Sequence, residues 1–204
     1  MISVNAQNSI CIDAGKKIYF DPFEIDAKKA DADYIFLTHD HFDHFSPDDM
    51  KKLVKDGTVI VCPQGMEGKV RSTFAEEVMT VLPGMSYTTA DFSFETVPAY
   101  NVLKPFHTKK SGWVGYIVEI DGKRIYVAGD TDATREAEQV KCDIALVPIG
   151  GFYTMDYKDA AKLVNKIRPE VVIPTHYGGI VGAAEDGEKL KGRVDDGIEV
   201  VLKL

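Results

Sequence analysis

A chain of 204 residues that is 45% hydrophobic and 27% charged, with a formal net charge of −8, can bury one sizeable core. Its charge has the wrong sign for a nucleic-acid partner, because such proteins carry a basic face. No apolar run approaches the ~18 residues of a membrane span, and the opening MISVNAQNSICID lacks the basic and apolar regions of a signal peptide.

Cys11, Cys62 and Cys142 are widely spaced and form no CxxC pair, so they read as buried, reduced thiols. The expectation is a cytoplasmic, single-domain protein with neither nucleic-acid nor membrane partner; oligomeric state is not encoded. In chain order, SICIDAGKKIYFDP (9–22) predicts strand, turn at Ala14-Gly15, strand. DYIFLT (33–38) is a continuous apolar run, as for a buried strand. Ser46-Pro47 predicts a helix start, an N-cap followed by proline at the first position, with Gly57 as the stop. TVIVCP (58–63), VMTVL (78–82) and FSFETVPA (92–99) follow as strands. WVGYIVEIDGKRIYVAGD (113–130) is the clearest hairpin, turning at Asp121-Gly122. DIALVPIG (143–150), EVVIPTH (170–176) and GIEVVLKL (197–204) are late strands. Asp156 caps a helix over 157–167, whose Ala160, Ala161, Val164 and Ile167 share one face. A third helix is expected over 183–191, with Gly187 against it.

The chain echoes itself. CIDAGKKIYFDPF…DADYIFLTHDH and VEIDGKRIYVAGDTD…KCDIALVPIG each run through a hairpin, an aspartate near the end of its second strand, a link, and an apolar strand beginning at Asp. Two packed sheets of related topology, with helices outside, are expected from this duplication.

Three of the five histidines fall within LTHDHFDHFSP (37–47). His39 and His41 follow a buried strand, and residues two apart on extended backbone point to one side, so their imidazoles can converge on one ion. Asp43 and His44, in the loop before Ser46, can point to a second position. Imidazole and carboxylate suit Zn, Mn or Fe. His176 and Asp130 also stand at strand ends, and one aspartate can offer an oxygen to each of two ions. His107 lies in the loop KPFHTKKSGW, a weaker placement. From Val97 to Val118 there is no acidic residue while Lys104, His107, Lys109 and Lys110 gather, which reads either as a solvated loop or as a basic mouth.

THDHFDH, AGDTD and PTHY together resemble the metallo-β-lactamase superfamily over nearly the whole chain. PIGGFYTMD followed by AAKLVNKIRPEVVIPTHYG is similar to its branch of L-ascorbate-6-phosphate lactonase-like and other metal-dependent hydrolases. The resemblance implies an α/β (α+β) fold, a four-layer αβ/βα sandwich with a dinuclear metal site. It implies His39, His41 and a third histidine on one ion, Asp43, His44 and His176 on the other, and Asp130 bridging. Many relatives carry the third histidine near FETVPAY, where this chain has Tyr100 and Asn101. Either His107 folds back to complete that site, or Tyr100 or water does; His107 is the only histidine left.

The implied reaction uses a metal-bound hydroxide to cleave an ester-type bond, with Asp43 orienting it or taking its proton. Zinc is the expected metal, with Mn or Fe as alternatives. Asp40 reads as solvent-facing or supporting a ligand from behind. Tyr153 and Thr154, in the loop before the Asp156 helix, and Tyr177, after His176, are expected to contact substrate. So is Lys104, if the substrate is a small anion such as a lactone or phosphate ester. Trp113 reads as a core anchor or a lid. The rivals are a phosphodiesterase resembling phospholipase D-like relatives and a non-catalytic metal-binding sensor. Export-dependent β-lactamases, flavodiiron members with Glu at the place of His41, thioesterases ending in a helical domain, and RNA-processing members with long insertions fit this compact, acidic chain less well.

Overall fold

Two mixed β-sheets, one in each part of the chain, carry the architecture. The computed structural model describes all residues 1–204, and they divide into two units, Met1–Leu82 and Pro83–Leu204. The sequence, without a linker, predicts one domain; the division falls between the two copies of the repeat.

The first unit holds β1 (Ile2–Val4), β2 (Ile10–Asp13), β3 (Lys17–Phe20), β4 (Tyr34–Phe36), β5 (Val59–Pro63) and β6 (Glu77–Val81), hydrogen-bonded in that order. The first three pair antiparallel, and β3 to β6 run parallel. Parallel strands are covered on both faces, which is why Tyr34, Ile35 and Phe36 are all buried. Helices α1 (Pro47–Leu53) and α2 (Glu67–Arg71) lie in the β4–β5 and β5–β6 crossovers. Met50, Leu53 and Val70 from these helices join Ile35, Leu37 and Ile60 in one apolar cluster. Full burial of such a side chain contributes about 1.5–3 kcal/mol relative to exposure.

The second unit holds β7 (Ser86–Thr88), β8 (Ser93–Pro98), β9 (Val114–Ile120), β10 (Lys123–Val127), β11 (Ile144–Pro148), β12 (Val171–Thr175) and β13 (Glu199–Val200). Strands β7 to β10 are antiparallel neighbours, and β10 to β13 are parallel. The β9–β10 hairpin turns at Asp121 (φ 52°) and Gly122 (φ 72°), the positive pair that a tight two-residue turn requires. Helix α3 (Tyr157–Ile167) buries Ala160, Ala161, Leu163, Val164 and Ile167. Its cap is Asp156, whose Oδ1 accepts from the Lys158 and Asp159 N–H groups at 2.8 and 2.9 Å, which stabilises the start by about 1 kcal/mol.

The duplication is complete in topology. Strands β1 to β6 match β8 to β13 in order and in pairing sense, and β7 is the one addition. Several local expectations shift. Helix α1 stops at Leu53, where Val54 turns extended (ψ 143°), and Gly57 (φ 83°) serves the following turn. The Ser46 hydroxyl makes no cap; it donates to Asp49, whose oxygens also accept from the Glu24 and Ile25 N–H groups. The third helix is α4, only Asp186–Lys191. Gly187 stands inside it because a Cβ there would meet the Tyr177 hydroxyl at 2.6 Å. The last predicted strand shortens to Glu199–Val200. No helix is long and apolar enough to cross a membrane.

Candidate metal centre

Apart from His107, in the loop between the antiparallel strands β8 and β9, the histidines and aspartates of interest lie just beyond the C-terminal ends of strands. The segment 37–44 follows β4, Asp21 follows β3, Asp130 follows β10, and His176 follows β12. In the parallel part of a sheet, those ends are where sites form.

In the first unit, His39 Nε2 faces His41 Nδ1 at 3.0 Å, and His44 Nε2 faces Asp43 Oδ2 at 3.5 Å. All four donors except His41 are buried. The buried carboxylate of Asp21 organises them. Its Oδ1 accepts from the Thr38 N–H at 2.8 Å. Its Oδ2 accepts from Asn8 Nδ2 at 2.8 Å, from the Thr38 hydroxyl at 2.6 Å and from His44 Nδ1 at 2.7 Å. Having spent its proton on Asp21, the Thr38 hydroxyl accepts from His39 Nδ1 at 3.0 Å. Both imidazoles are therefore held as the Nδ1–H tautomer, which leaves Nε2 as the ligating atom. A carboxylate behind a histidine is the usual means of fixing a ligand's orientation and raising its basicity.

In the second unit, Asp130 divides its oxygens. Oδ2 lies 3.2 Å from His107 Nε2, and Oδ1 lies 3.4 Å from His176 Nε2. Both histidines have left-handed backbone, φ 53° and 58°, which costs a non-glycine residue of order 1 kcal/mol and marks a constrained site. The Gly150 position is left empty for His176: a Cβ there would lie 2.5 Å from its carbonyl oxygen and 3.2 Å from its Nδ1. His107 is set by Asn101, whose N–H donates to its carbonyl oxygen at 2.7 Å and whose Nδ2 lies 3.3 Å from its Nδ1. The Trp113 ring packs edge-on against it at 5.3 Å. Tyr100, the alternative for this role, instead donates its hydroxyl to Glu136 at 2.8 Å.

The donor chemistry fits a metal ion. An ion with bonds of about 2.05 Å separates adjacent ligand atoms by about 2.9 Å in an octahedron and about 3.4 Å in a tetrahedron. The four donor pairs described span 3.0–3.5 Å. His39, His41, Asp43, His44, His107, Asp130 and His176 each belong to a donor group able to hold an ion.

The expected substrate contacts fare differently. Lys104 is committed: its ammonium meets Asp132 Oδ1 and the Thr154 carbonyl at 2.5 Å each, and the Gly151 carbonyl at 3.4 Å. Lys109 pairs with Glu136 at 2.6 Å, and that bond holds the Glu136 carboxyl below its usual range. The basic mouth is thus largely internally neutralised. Thr154 is fully buried and donates to the Met155 carbonyl. Tyr177 is 3% exposed within the apolar cluster of its unit, and burial pushes its hydroxyl pKa up. These places give Lys104, Thr154 and Tyr177 scaffolding work. Tyr153 remains 37% exposed, in ring contact with Phe106 and Phe152. Asp40 sits at the surface and pairs with Lys69.

Sequence reasoning passed over Asp21, Thr38, Asn101 and Gly150. The signal for Asp21 was in the repeat, since it holds the same station near the end of the hairpin's second strand as Asp130.

The β-lactamase superfamily domain model matches residues 5–176. A UPF0173 metal-dependent hydrolase of Thermococcus kodakarensis is 35% identical over 206 residues, covering 94% of this chain and 90% of that protein. A crystal structure from Parabacteroides distasonis superposes with a TM-score of 0.83 at 29% identity, over 100% of this chain and 92% of the other. The metallo-β-lactamase fold protein YhfI of Bacillus subtilis superposes at 0.73 with 10% identity, over 97% and 89%; at that identity the likeness speaks for the fold.

Proposed function

Because the chain belongs to the metallo-β-lactamase superfamily of metal-dependent hydrolases, we propose that its seven donors bind two divalent ions and that the protein hydrolyses an ester-type bond in a small molecule. In this reading His39, His41 and His107 serve one ion, Asp43, His44 and His176 the other, and Asp130 both. Zinc suits the nitrogen-rich set, and Mn or Fe are alternatives. Such ions lower the pKa of water to about 7 and polarise a carbonyl or phosphoryl oxygen.

The chain's own residues do the rest. Asp21 and Thr38 keep His39 and His44 in the ligating tautomer. Asn101 orients His107. Asp43, 7% exposed, holds the proton of the attacking water at its carboxylate. The observation that carries the reading is Asp130, one oxygen on each of two histidines at 3.2 and 3.4 Å, the arrangement of a shared ligand. The commitment of Lys104 and Lys109 to acidic partners removes two cations of the basic loop as support for a strongly anionic substrate.

The test is elemental analysis of the purified protein, with a panel of ester, lactone, thioester and phosphodiester substrates repeated under Zn, Mn and Fe. About two ions per chain, and activity lost in folded His39→Ala and Asp130→Ala, are expected. A protein that binds no ion under any of the three metals would refute the reading.

A further inference from the structure

Three aromatic rings stand in mutual contact on the loops that surround His107. Phe106 lies 4.9 Å from Tyr153 and 5.8 Å from Phe152, and the latter two are 4.9 Å apart, with edge-to-face or tilted geometry throughout. They are exposed, Phe152 by 69% and the other two by 37% each. Exposed rings in contact with one another are unusual on a surface that could have been polar.

The group is built into the scaffold. Phe106 directly precedes His107 in the chain. Asn101, which grips His107, donates its Nδ2 to the Tyr153 carbonyl at 2.7 Å. Lys104 bonds the Gly151 and Thr154 carbonyls on either side of Phe152 and Tyr153. The residues that fix the third histidine therefore also fix the rings. Of the lysines in the same loop, Lys104 and Lys109 are tied to Asp132 and Glu136.

We propose that Phe106, Phe152 and Tyr153 form a binding wall for an apolar, preferably aromatic, group of the substrate, so that the protein acts on neutral aryl-bearing compounds rather than on small anions. This rests on the hydrolase reading above and supplies its specificity. The occupant is a small molecule on grounds of size. Rings of roughly 200 Å² exposed to these extents offer about 300 Å², whereas a stable protein interface takes about 800 Å² from each partner. One aromatic ring and a short chain match that surface. Aromatic groups also gain from edge-to-face contact beyond simple area burial.

Two readouts separate this proposal from the reading beneath it. The first compares methyl 4-phenylbutanoate with methyl butanoate, which share leaving group and reactive carbonyl, using the metal-loaded full chain. A preference of tenfold or more in kcat/KM for the aryl ester is expected. Phe152→Ala should lose at least fivefold of that preference through KM, with metal content unchanged, and Phe152→Tyr should keep it. The second is binding of 4-phenylbutanol, which cannot be hydrolysed, followed by saturation-transfer NMR; Phe152→Ala should weaken it at least tenfold. If neither ester is cleaved, the ester reading fails, and the alcohol still tests the wall. Equal binding of the alcohol by wild type and Phe152→Ala, or no binding by wild type, overturns the proposal. So does concentration-dependent dimerisation that Phe152→Ala abolishes, since the wall would then serve a second copy.

Discussion

Replacing Asp21 with alanine should uncouple ligand geometry from the rest of the fold. The wild-type carboxylate accepts four hydrogen bonds, from the Thr38 N–H, the Thr38 hydroxyl, Asn8 and His44, all at 2.6–2.8 Å, and it is fully buried. Removing a buried charged acceptor that holds such a set costs about 3–5 kcal/mol. In a chain of this length each kcal/mol moves the melting temperature by about 2–4 °C, so the chelated protein should melt roughly 6–20 °C lower. Metal affinity should fall by about 10–100-fold, because His39 and His44 are then free to carry the proton on Nε2. Asp21→Asn is the graded control. Its carbonyl can take the place of Oδ2 and serve three donors, leaving only the Thr38 N–H opposed by an amide NH₂. The loss should be about 1–3 kcal/mol, with a smaller drop in affinity. Thermal melts with and without chelator, and competition against a chromogenic chelator, measure both quantities. A folded Asp21→Ala protein that binds metal within twofold of wild type would refute the tautomer argument and leave Asp21 as a clasp alone.

Gly150→Ala should reduce metal affinity at least tenfold in a folded protein, because the new methyl would sit 2.5 Å from the His176 carbonyl and must displace that ligand; the same chelator competition checks it. Asp49→Ala should cost about 1–3 kcal/mol at pH 7. Burial alone would push the Asp49 carboxyl up, but bonds from Lys52, Ser46 and the Ile25 N–H together hold it below its usual value. Its folded pKa is thus below the unfolded one of about 3.9. The stabilisation is present above that pH and lost as pH falls through the folded value, so urea melts of wild type and variant should converge between pH 5 and pH 2.

What could be read from the sequence depended on distance along the chain. The cluster His39 to His44 is local, and its spacing alone implies convergence at a strand end. The Asp121-Gly122 turn and the Asp156 cap are local too, and both form as expected. The charge on Lys104 is visible at once, but Asp132, 28 residues away, neutralises it; only the folded chain brings the two together. Thr154 and Tyr177 sit beside chemically interesting neighbours yet face their own unit's interior, a direction that residue type does not encode. Strands β1 and β7 and helix α2, at 3, 3 and 5 residues, are too short for any periodicity to register.

The two copies of the six-strand pattern carry an aspartate at the same station, and the two residues have opposite employment. Asp21 accepts hydrogen bonds from Asn8, Thr38 and His44; Asp130 turns both oxygens toward histidines. The loops ahead of each hairpin diverge likewise: Gln7 and His107 are both buried with left-handed backbone, φ 49° and 53°, one a carboxamide and the other an imidazole. A symmetric frame has been given unequal tenants. Exchanging equivalent positions between the copies would preserve the strands and abolish the chemistry, so homology between the halves is no guide to which residues tolerate change.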